Sequence, residues 1–152
     1  MANVGSSQIY EQSVGDRSFG YIEFRVTSDD LTAAALTEAL DVPGFPANAY
    51  PLFAQLNVGQ FFTGGSVSAA TVQLGDAGDP DGLAVSLNVL DTTSLGDWGV
   101  ATAGVEAEYG STGPSLESAF APQLLVTTVT ANVDQLTTGV LHGRIYYKRY
   151  ED

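Results

Sequence analysis

Apolar and polar residues alternate one by one along several short stretches of the chain, and this alternation limits what the chain can fold into. Residues 83–89 read LAVSLNV, and Ile22, Phe24 and Val26 are separated by Glu23 and Arg25. Because successive side chains of a strand point to opposite faces, such a stretch buries one face and exposes the other. The pattern predicts half-buried β-strands.

Turn-forming residues separate these stretches. The chain contains 17 glycines and 6 prolines, many of them between apolar runs, as in the segment GDAGDPDG. Further strands are predicted over residues 52–58, 67–74, 105–109, 124–131 and 140–147. Short strands joined by irregular connections predict an all-β fold, an antiparallel β-sandwich of the jelly-roll-like type. A partly open barrel is the alternative.

Two segments depart from this pattern. Residues 1–20 are polar and rich in Gly and Ser, so they are predicted to form an extended N-terminal arm before a single β-sandwich domain over residues 21–152. One short helix is predicted after Ser28, a suitable N-cap, with Leu31 beginning an apolar face and Pro43 ending the segment.

The charge balance excludes some classes of function. The chain has 18 acidic and 5 basic residues, a net charge of −13, which excludes binding to nucleic acid by phosphate neutralisation. No apolar run approaches the roughly 18 residues of a membrane span. The bases lie near the two ends of the sequence, at Arg17, Arg25, Arg144, Lys148 and Arg149.

This distribution has two interpretations. If the strands over residues 21–26 and 140–147 are neighbours, Glu23 and Arg25 face Arg144 and Lys148 across the sheet. A basic patch formed in this way would bind an acidic partner. The other interpretation is scattered charge that only keeps the chain in solution.

No set of catalytic residues is apparent. His142 is the only histidine, and no Gly-x-Ser-x-Gly motif accompanies it, so it is predicted to be a solvent-facing or interface residue of a strand. The chain has no cysteine, which excludes disulfides and thiolate metal sites. The chain is therefore predicted not to be an enzyme.

Three carboxylates stand close together in one glycine-rich loop, at Asp76, Asp79 and Asp81. Oxygen ligands at this density suit calcium, although the spacing is not that of an EF-hand. Asp and Gly also populate plain turns, because Asp caps the backbone and Gly accepts unusual angles. Three interpretations of the loop remain open: a plain turn, a calcium site and a glycosidase acid pair. Apart from this calcium, no cofactor is expected.

Trp98 lies between Asp97 and Gly99 in a glycine-rich segment. It has three interpretations: a loop residue that packs on the edge of the sandwich, the anchor of a subunit interface, or a ring that stacks on a sugar.

Three segments together resemble a known family. They are the opening MANVGSSQIYEQSVGDRSFGYIEFRVTSDDL, the middle run SAATVQLGDAGDPDGLA and the closing strand TTGVLHGRIYYKRYED. Each is similar to parts of small structural proteins encoded in the head modules of tailed bacteriophages. In combination they resemble a capsid decoration, or cement, protein.

The resemblance implies a structural virion protein on the outer capsid surface, assembled in the host cytoplasm and commonly a homotrimer. Its partners would be the major capsid protein and its own copies, with no nucleic acid or membrane. The residues expected to contact these partners are Ile9, Tyr10, Arg17, Trp98, Tyr146 and Lys148. The alternative function is a carbohydrate- or receptor-binding module of a phage fibre or tail, which would use Trp98 and the loop of Asp76 to Asp81.

Overall fold

The computed structural model describes residues 2–14, 17–47, 49–90, 99–100 and 120–150. Trp98 and the strand predicted over residues 105–109 lie outside these ranges. Within them the strands are β1 (Ser6–Val14), β2 (Arg17–Thr27), β3 (Thr37–Asp41), β4 (Ala49–Thr63), β5 (Ala69–Gly75), β6 (Ala84–Asn88), β7 (Gly99–Val100), β8 (Gln123–Val129) and β9 (Thr138–Tyr150). Two single-turn 3-10 helices, Ser28–Asp30 and Val133–Gln135, complete the described elements.

The strands form two antiparallel sheets. One has the order β1-β2-β9-β4-β7 and the other the order β3-β8-β5-β6. Four antiparallel strand pairs nest inside one another along the chain and alternate between the two sheets. From the outermost to the innermost they are β2/β9, β3/β8, β4/β7 and β5/β6. This is the winding of a jelly roll, so the predicted all-β, antiparallel β-sandwich is confirmed.

The core lies between the inner faces of the two sheets. Ile22, Phe24 and Val26 of β2 are at most 1% exposed, and Leu141 and Ile145 of β9 are fully buried. Burying an aliphatic or aromatic side chain of this size contributes about 1.5–3 kcal/mol. The alternation in the sequence therefore places these residues inward, and the predicted strands over 21–26, 52–58, 67–74, 83–89, 124–131 and 140–147 are confirmed in position.

The predicted short helix is wrong. Only Ser28–Asp30 forms a helical turn, and Thr37–Asp41 is strand β3, which pairs with β8. Leu40 is fully buried against the core, and the carboxylate of Glu38 accepts hydrogen bonds from the backbone N–H groups of Thr32 and Ala33 at 2.9 and 3.2 Å. Pairing in the sheet therefore outweighs the helix propensity of the alanines in this segment, as tertiary contacts commonly do.

The predicted N-terminal arm is also corrected. Ser6–Val14 forms strand β1 and pairs with β2 at nine successive positions, and the boundary expected at residue 20 falls inside β2. Upstream of β1, Val4 is buried and Asn3 bridges to Asp41. A strand at the edge of a sheet is exposed on several sides, so its composition can be as polar as that of an arm.

Candidate functional site

Four aromatic residues form a row across the outer face of the five-stranded sheet. The register places Tyr10 of β1 opposite Tyr21 of β2, Tyr21 opposite Tyr146 of β9, and Tyr146 opposite Phe53 of β4. The distances between successive ring centroids are 5.0, 5.1 and 4.4 Å, and the first and last pairs are stacked. We call Tyr10, Tyr21, Tyr146 and Phe53 the aromatic row.

The aromatic row lines a groove that is open to solvent. With Phe19 and Leu52 it surrounds a volume of about 490 Å³. Tyr10, Phe19 and Phe53 keep 42%, 43% and 38% of their surface exposed. The core lies on the opposite face of the same sheet, so these rings are not needed to fill it. A contiguous exposed apolar surface of this kind is the candidate binding surface among the described residues.

One ion pair borders the aromatic row. Arg144 lies 3.4 Å from a carboxylate oxygen of Glu23, and its guanidinium stands 5.2 Å from the centre of the Tyr21 ring. Partial burial alone would lower the pKa of Arg144, but its hydrogen bond with Tyr146 and the charge of Glu23 raise it. The predicted pairing of Glu23 with Arg144 is confirmed.

The other predicted cross-strand contacts differ. Arg25 lies opposite His142, and Lys148 lies opposite Phe19. The expected adjacency of the strands is nevertheless correct, because the five bases of the chain lie on the paired strands β2 and β9. The sheet that carries the aromatic row therefore also carries the positive charges of an otherwise acidic chain.

A polar cluster lies at one end of the inner face of the same sheet. The hydroxyl of Tyr147 donates a hydrogen bond to Oε2 of Glu11 at 2.5 Å, and Arg149 forms an ion pair with the other oxygen. Burial, and then the hydrogen bond to Glu11, raise the pKa of Tyr147 well above its ordinary value. Burial alone would raise the pKa of Glu11, but the hydrogen bonds from Tyr147 and Arg149 lower it. This cluster attaches edge strand β1 to β9.

The residues predicted to bind partners are only partly brought together. Tyr10 and Tyr146 belong to the aromatic row, and Lys148 lies on the same outer face. Ile9 projects from the other face of β1, where it pairs with Ile22 and is 39% exposed. The backbone of Arg17 lies in β2 opposite Tyr150, and Trp98 lies outside the described residues.

Sequence reasoning missed Phe19, Tyr21 and Phe53. The signal was present, because Tyr21 and Phe53 occupy the polar side of alternating segments, where a large aromatic residue has no place in the core. An aromatic residue on the outward side of a predicted strand is therefore worth treating as a candidate for binding.

The loop of Asp76, Asp79 and Asp81 forms a turn stabilised by its own side chain. Oδ1 of Asp76 accepts hydrogen bonds from the backbone N–H groups of Gly78 and Asp79 at 2.9 and 2.8 Å. Among the residues that the structure describes, no three acidic or histidine side chains converge as metal ligands. The calcium site stays a prediction, and Asp76 already has a role in the turn.

His142 lies on the outer face of β9, between Arg25 of β2 and Asn57 of β4. This is the strand position that the sequence predicted for it.

None of the described helical segments has the length and apolar character needed to cross a membrane.

Comparison with known proteins gives one structural likeness to report. No family model and no curated protein matches the chain. A chain of the solved structure entitled "Cyanophage Pam1 capsid asymmetric unit" is similar, with 17% sequence identity, a TM-score of 0.47 and 93% of each chain covered.

Proposed function

We propose that this chain is a structural, non-enzymatic virion protein that binds the outer surface of a tailed-phage capsid and stabilises the shell. The observation that carries the proposal is the aromatic row, an exposed apolar surface on a sheet whose other face forms the core. The jelly-roll winding and the resemblance of three segments to decoration proteins support the same function.

The aromatic row has the chemistry of a protein interface. Tyrosine and phenylalanine are enriched at such interfaces because a rigid ring buries much apolar area at little entropic cost. Tyr10 and Tyr146 also carry hydroxyl groups; that of Tyr146 donates to Oε1 of Gln55 at 2.8 Å. We therefore propose the capsid protein as the partner that covers the groove and the residues around it.

The distribution of charge supports an orientation on the capsid. The aromatic row lies on the sheet that holds the bases, beside Arg144 and Lys148, while the chain as a whole has a net charge of −13. The basic sheet would face an acidic region of the capsid surface, and the remaining acidic surface would face away.

Stabilisation follows from binding across a junction between capsid subunits. A shell that contains packaged DNA fails where its subunits meet, so a protein that bridges the junction raises the free energy needed to separate them. We propose a homotrimer, because three linked contacts make the second and third binding events intramolecular.

The test is occupancy on capsids that lack this chain. Wild-type protein and the variants Phe53→Ala and Tyr146→Ala are sedimented with the shells, and bound protein is quantified. We expect the affinity of both variants for the capsid to fall at least about tenfold. An anchor residue contributes about 1.4 kcal/mol or more to the binding free energy, which corresponds to that factor. Val129→Ala is the control, because Val129 is 52% exposed on a strand of the other sheet and should bind like wild type.

The second candidate, a carbohydrate-binding module, is tested with the same variants. Stacked rings beside Gln55, Glu23 and Arg144 also suit a sugar, whose faces stack on aromatic rings while its hydroxyl groups bond to polar neighbours. Binding to a glycan array that depends on Phe53 and Tyr146, with no occupancy on capsids, would overturn the decoration proposal in favour of this function.

A further inference from the structure

Among the residues that the structure describes, strand β1 forms one edge of the five-stranded sheet, and several of the features that usually protect an edge are missing from it. Of the strands that the structure describes, only β2 pairs with it. The nine residues SSQIYEQSV contain neither Lys nor Pro, and their register with β2 shows no bulge. Natural edge strands are commonly protected by such features, and an edge without them is a template for another strand.

We propose that β1 pairs with β1 of a second copy of this chain, antiparallel, about a twofold axis that passes beside Tyr10. Tyr10 is the central residue of Ser6–Val14. With Tyr10 opposite its own counterpart, Ser6 lies opposite Val14 of the second copy and all nine residues are paired. The contact is isologous and closes on itself, as most contacts between identical chains do.

The aromatic row is the first reason to choose a second copy. Its rings follow one another at 5.0, 5.1 and 4.4 Å, which is the spacing of side chains on adjacent strands. Tyr10 is the last ring, stacked on Tyr21 on one side and 42% exposed. In the proposed register the next ring is Tyr10 of the second copy, so the row continues across the contact with four rings from each chain.

The backbone of β1 suits this register. A Cβ at Gly20 would collide with the carbonyl oxygen of Tyr10, so that carbonyl is directed toward β2. The backbone N–H and C=O groups of successive residues point to alternate sides of a strand within the plane of the sheet. The backbone groups of Ile9 and Glu11 therefore point away from β2, toward the open edge. In the proposed pair, Ile9 lies opposite Glu11 of the second copy, and these two residues exchange both backbone hydrogen bonds.

The charge of the edge also favours self-association. Two chains of net charge −13 repel one another, and they can meet only where few acidic side chains are exposed. Glu11 is the only charged residue of β1, and Arg149 of the same chain forms an ion pair with it. The two edges therefore approach each other without opposing two unpaired charges.

The contact is small, and this determines where it acts. A single added strand pair buries less than the roughly 1,200 Å² of a stable interface, so free chains associate weakly. Copies held side by side on a common surface gain effective concentration, and the same contact then links them. The inference goes beyond the proposed function and does not depend on it.

Cysteine cross-linking of the full chain tests the register, since the native sequence contains no cysteine. Gln8 and Gln12 share the outer face with Tyr10, and in the proposed pair Gln8 of one chain faces Gln12 of the other. We expect a mixture of Gln8→Cys and Gln12→Cys to form disulfide-linked heterodimers in oxidised glutathione at about 1 mM chain, a concentration that populates even weak contacts. Either variant alone should cross-link at least tenfold less.

Two controls make the result specific. Ser86→Cys places a thiol on an exposed residue of edge strand β6, and its mixture with Gln12→Cys should give only background. Adding Tyr10→Ala to both members of the reactive pair should abolish the heterodimer, while Tyr10→Phe should retain it. The proposal would be overturned if the mixture of Gln8→Cys and Gln12→Cys formed no cross-link, or if each variant alone cross-linked equally well. Both variants keep Tyr10, so loss of that ring cannot explain a negative result.

Discussion

The hydroxyl of Tyr147 reaches across strand β2 and donates a 2.5 Å hydrogen bond to Oε2 of Glu11 on strand β1. The two residues are not on neighbouring strands, because β2 lies between β1 and β9. Gly20 stands between them in the register, opposite Glu11 on one side and Tyr147 on the other, and the absence of a side chain leaves room for the phenol. Edge strand β1 is therefore held by a side chain from the second strand beyond it.

Removing this hydroxyl should weaken the attachment of β1. Tyr147→Phe keeps the buried ring but leaves Glu11 with one donor fewer, and a hydrogen bond to a charged group contributes about 1.5–3 kcal/mol. We expect the free energy of unfolding in urea to fall by about that amount. Tyr10→Phe is the matched control, because Tyr10 is exposed, and its change should stay within about 0.5 kcal/mol. Equal effects of the two variants would contradict the attachment.

The same cluster predicts a dependence of stability on pH. Its hydrogen bonds lower the pKa of Glu11 in the folded chain below the ordinary value of 4.5. The stability that Glu11 contributes is therefore present above that value and is lost as the pH falls through the folded pKa. Wild type should exceed Glu11→Gln in unfolding free energy at about pH 7, and the difference should shrink at about pH 3. A difference that is unchanged or larger at the lower pH would contradict the lowered pKa.

Gly20 should not tolerate a side chain. A Cβ there would meet the carbonyl oxygen of Tyr10 and would stand 2.9 Å from the Tyr147 hydroxyl. Gly20→Ala should therefore cost about 1–3 kcal/mol in unfolding free energy, the range for steric overpacking. Gly59→Ala is the control, since a Cβ at Gly59 makes only ordinary contacts of 3.6 Å or more. Hydrogen exchange of the β1 amide groups should increase in the first variant and stay unchanged in the second.

The sequence predicts the strands whose apolar side faces the core. Its predictions fail where pairing between strands, rather than burial, determines the structure. Residues 21–26 and 140–147 were recognisable because burial requires an apolar residue at every second position. The polar composition of residues 6–14 predicts an arm, because an edge strand needs little apolar surface. The apolar spacing around residues 37–41 predicts a helix, because only their pairing with β8 makes them a strand.

The aromatic row could not be predicted as a unit. Tyr10, Tyr21, Phe53 and Tyr146 are spread over most of the chain, and only the register of four strands aligns them. A shift of one residue in any of these pairings would turn the ring to the other face. The sequence therefore indicated Tyr10 and Tyr146 as candidates without indicating that they belong to one surface.

The turn at Asp76 predicts how the chain responds to calcium. Its Oδ1 accepts two backbone hydrogen bonds, so Asp76→Ala should destabilise the fold by about 1 kcal/mol with or without the metal. If the loop is only a turn, the melting temperature of wild type will be the same in excess calcium and in chelator. Asp81→Asn serves as the control, because it changes the charge of the loop without removing the turn-forming carboxylate. A calcium-dependent rise in melting temperature that Asp81→Asn abolishes would instead establish the metal site.

The rings of the aromatic row should be energetically coupled only to their neighbours. Phe53 and Tyr146 are stacked at 4.4 Å, and an aromatic pair of this kind contributes about 0.5–1.5 kcal/mol beyond the area that it buries. A double-mutant cycle with Phe53→Leu and Tyr146→Leu, measured by unfolding in urea, should give a coupling energy in that range. The cycle of Phe53→Leu with Tyr10→Leu joins the two ends of the row, which the rings of Tyr21 and Tyr146 separate. Its two changes should add to within about 0.5 kcal/mol, as expected for residues without contact. Equal coupling energies in the two cycles would mean that the rings respond to a shift of the whole sheet. A coupling energy of zero between Phe53 and Tyr146 would mean that their stacking contributes nothing to the stability of the free chain.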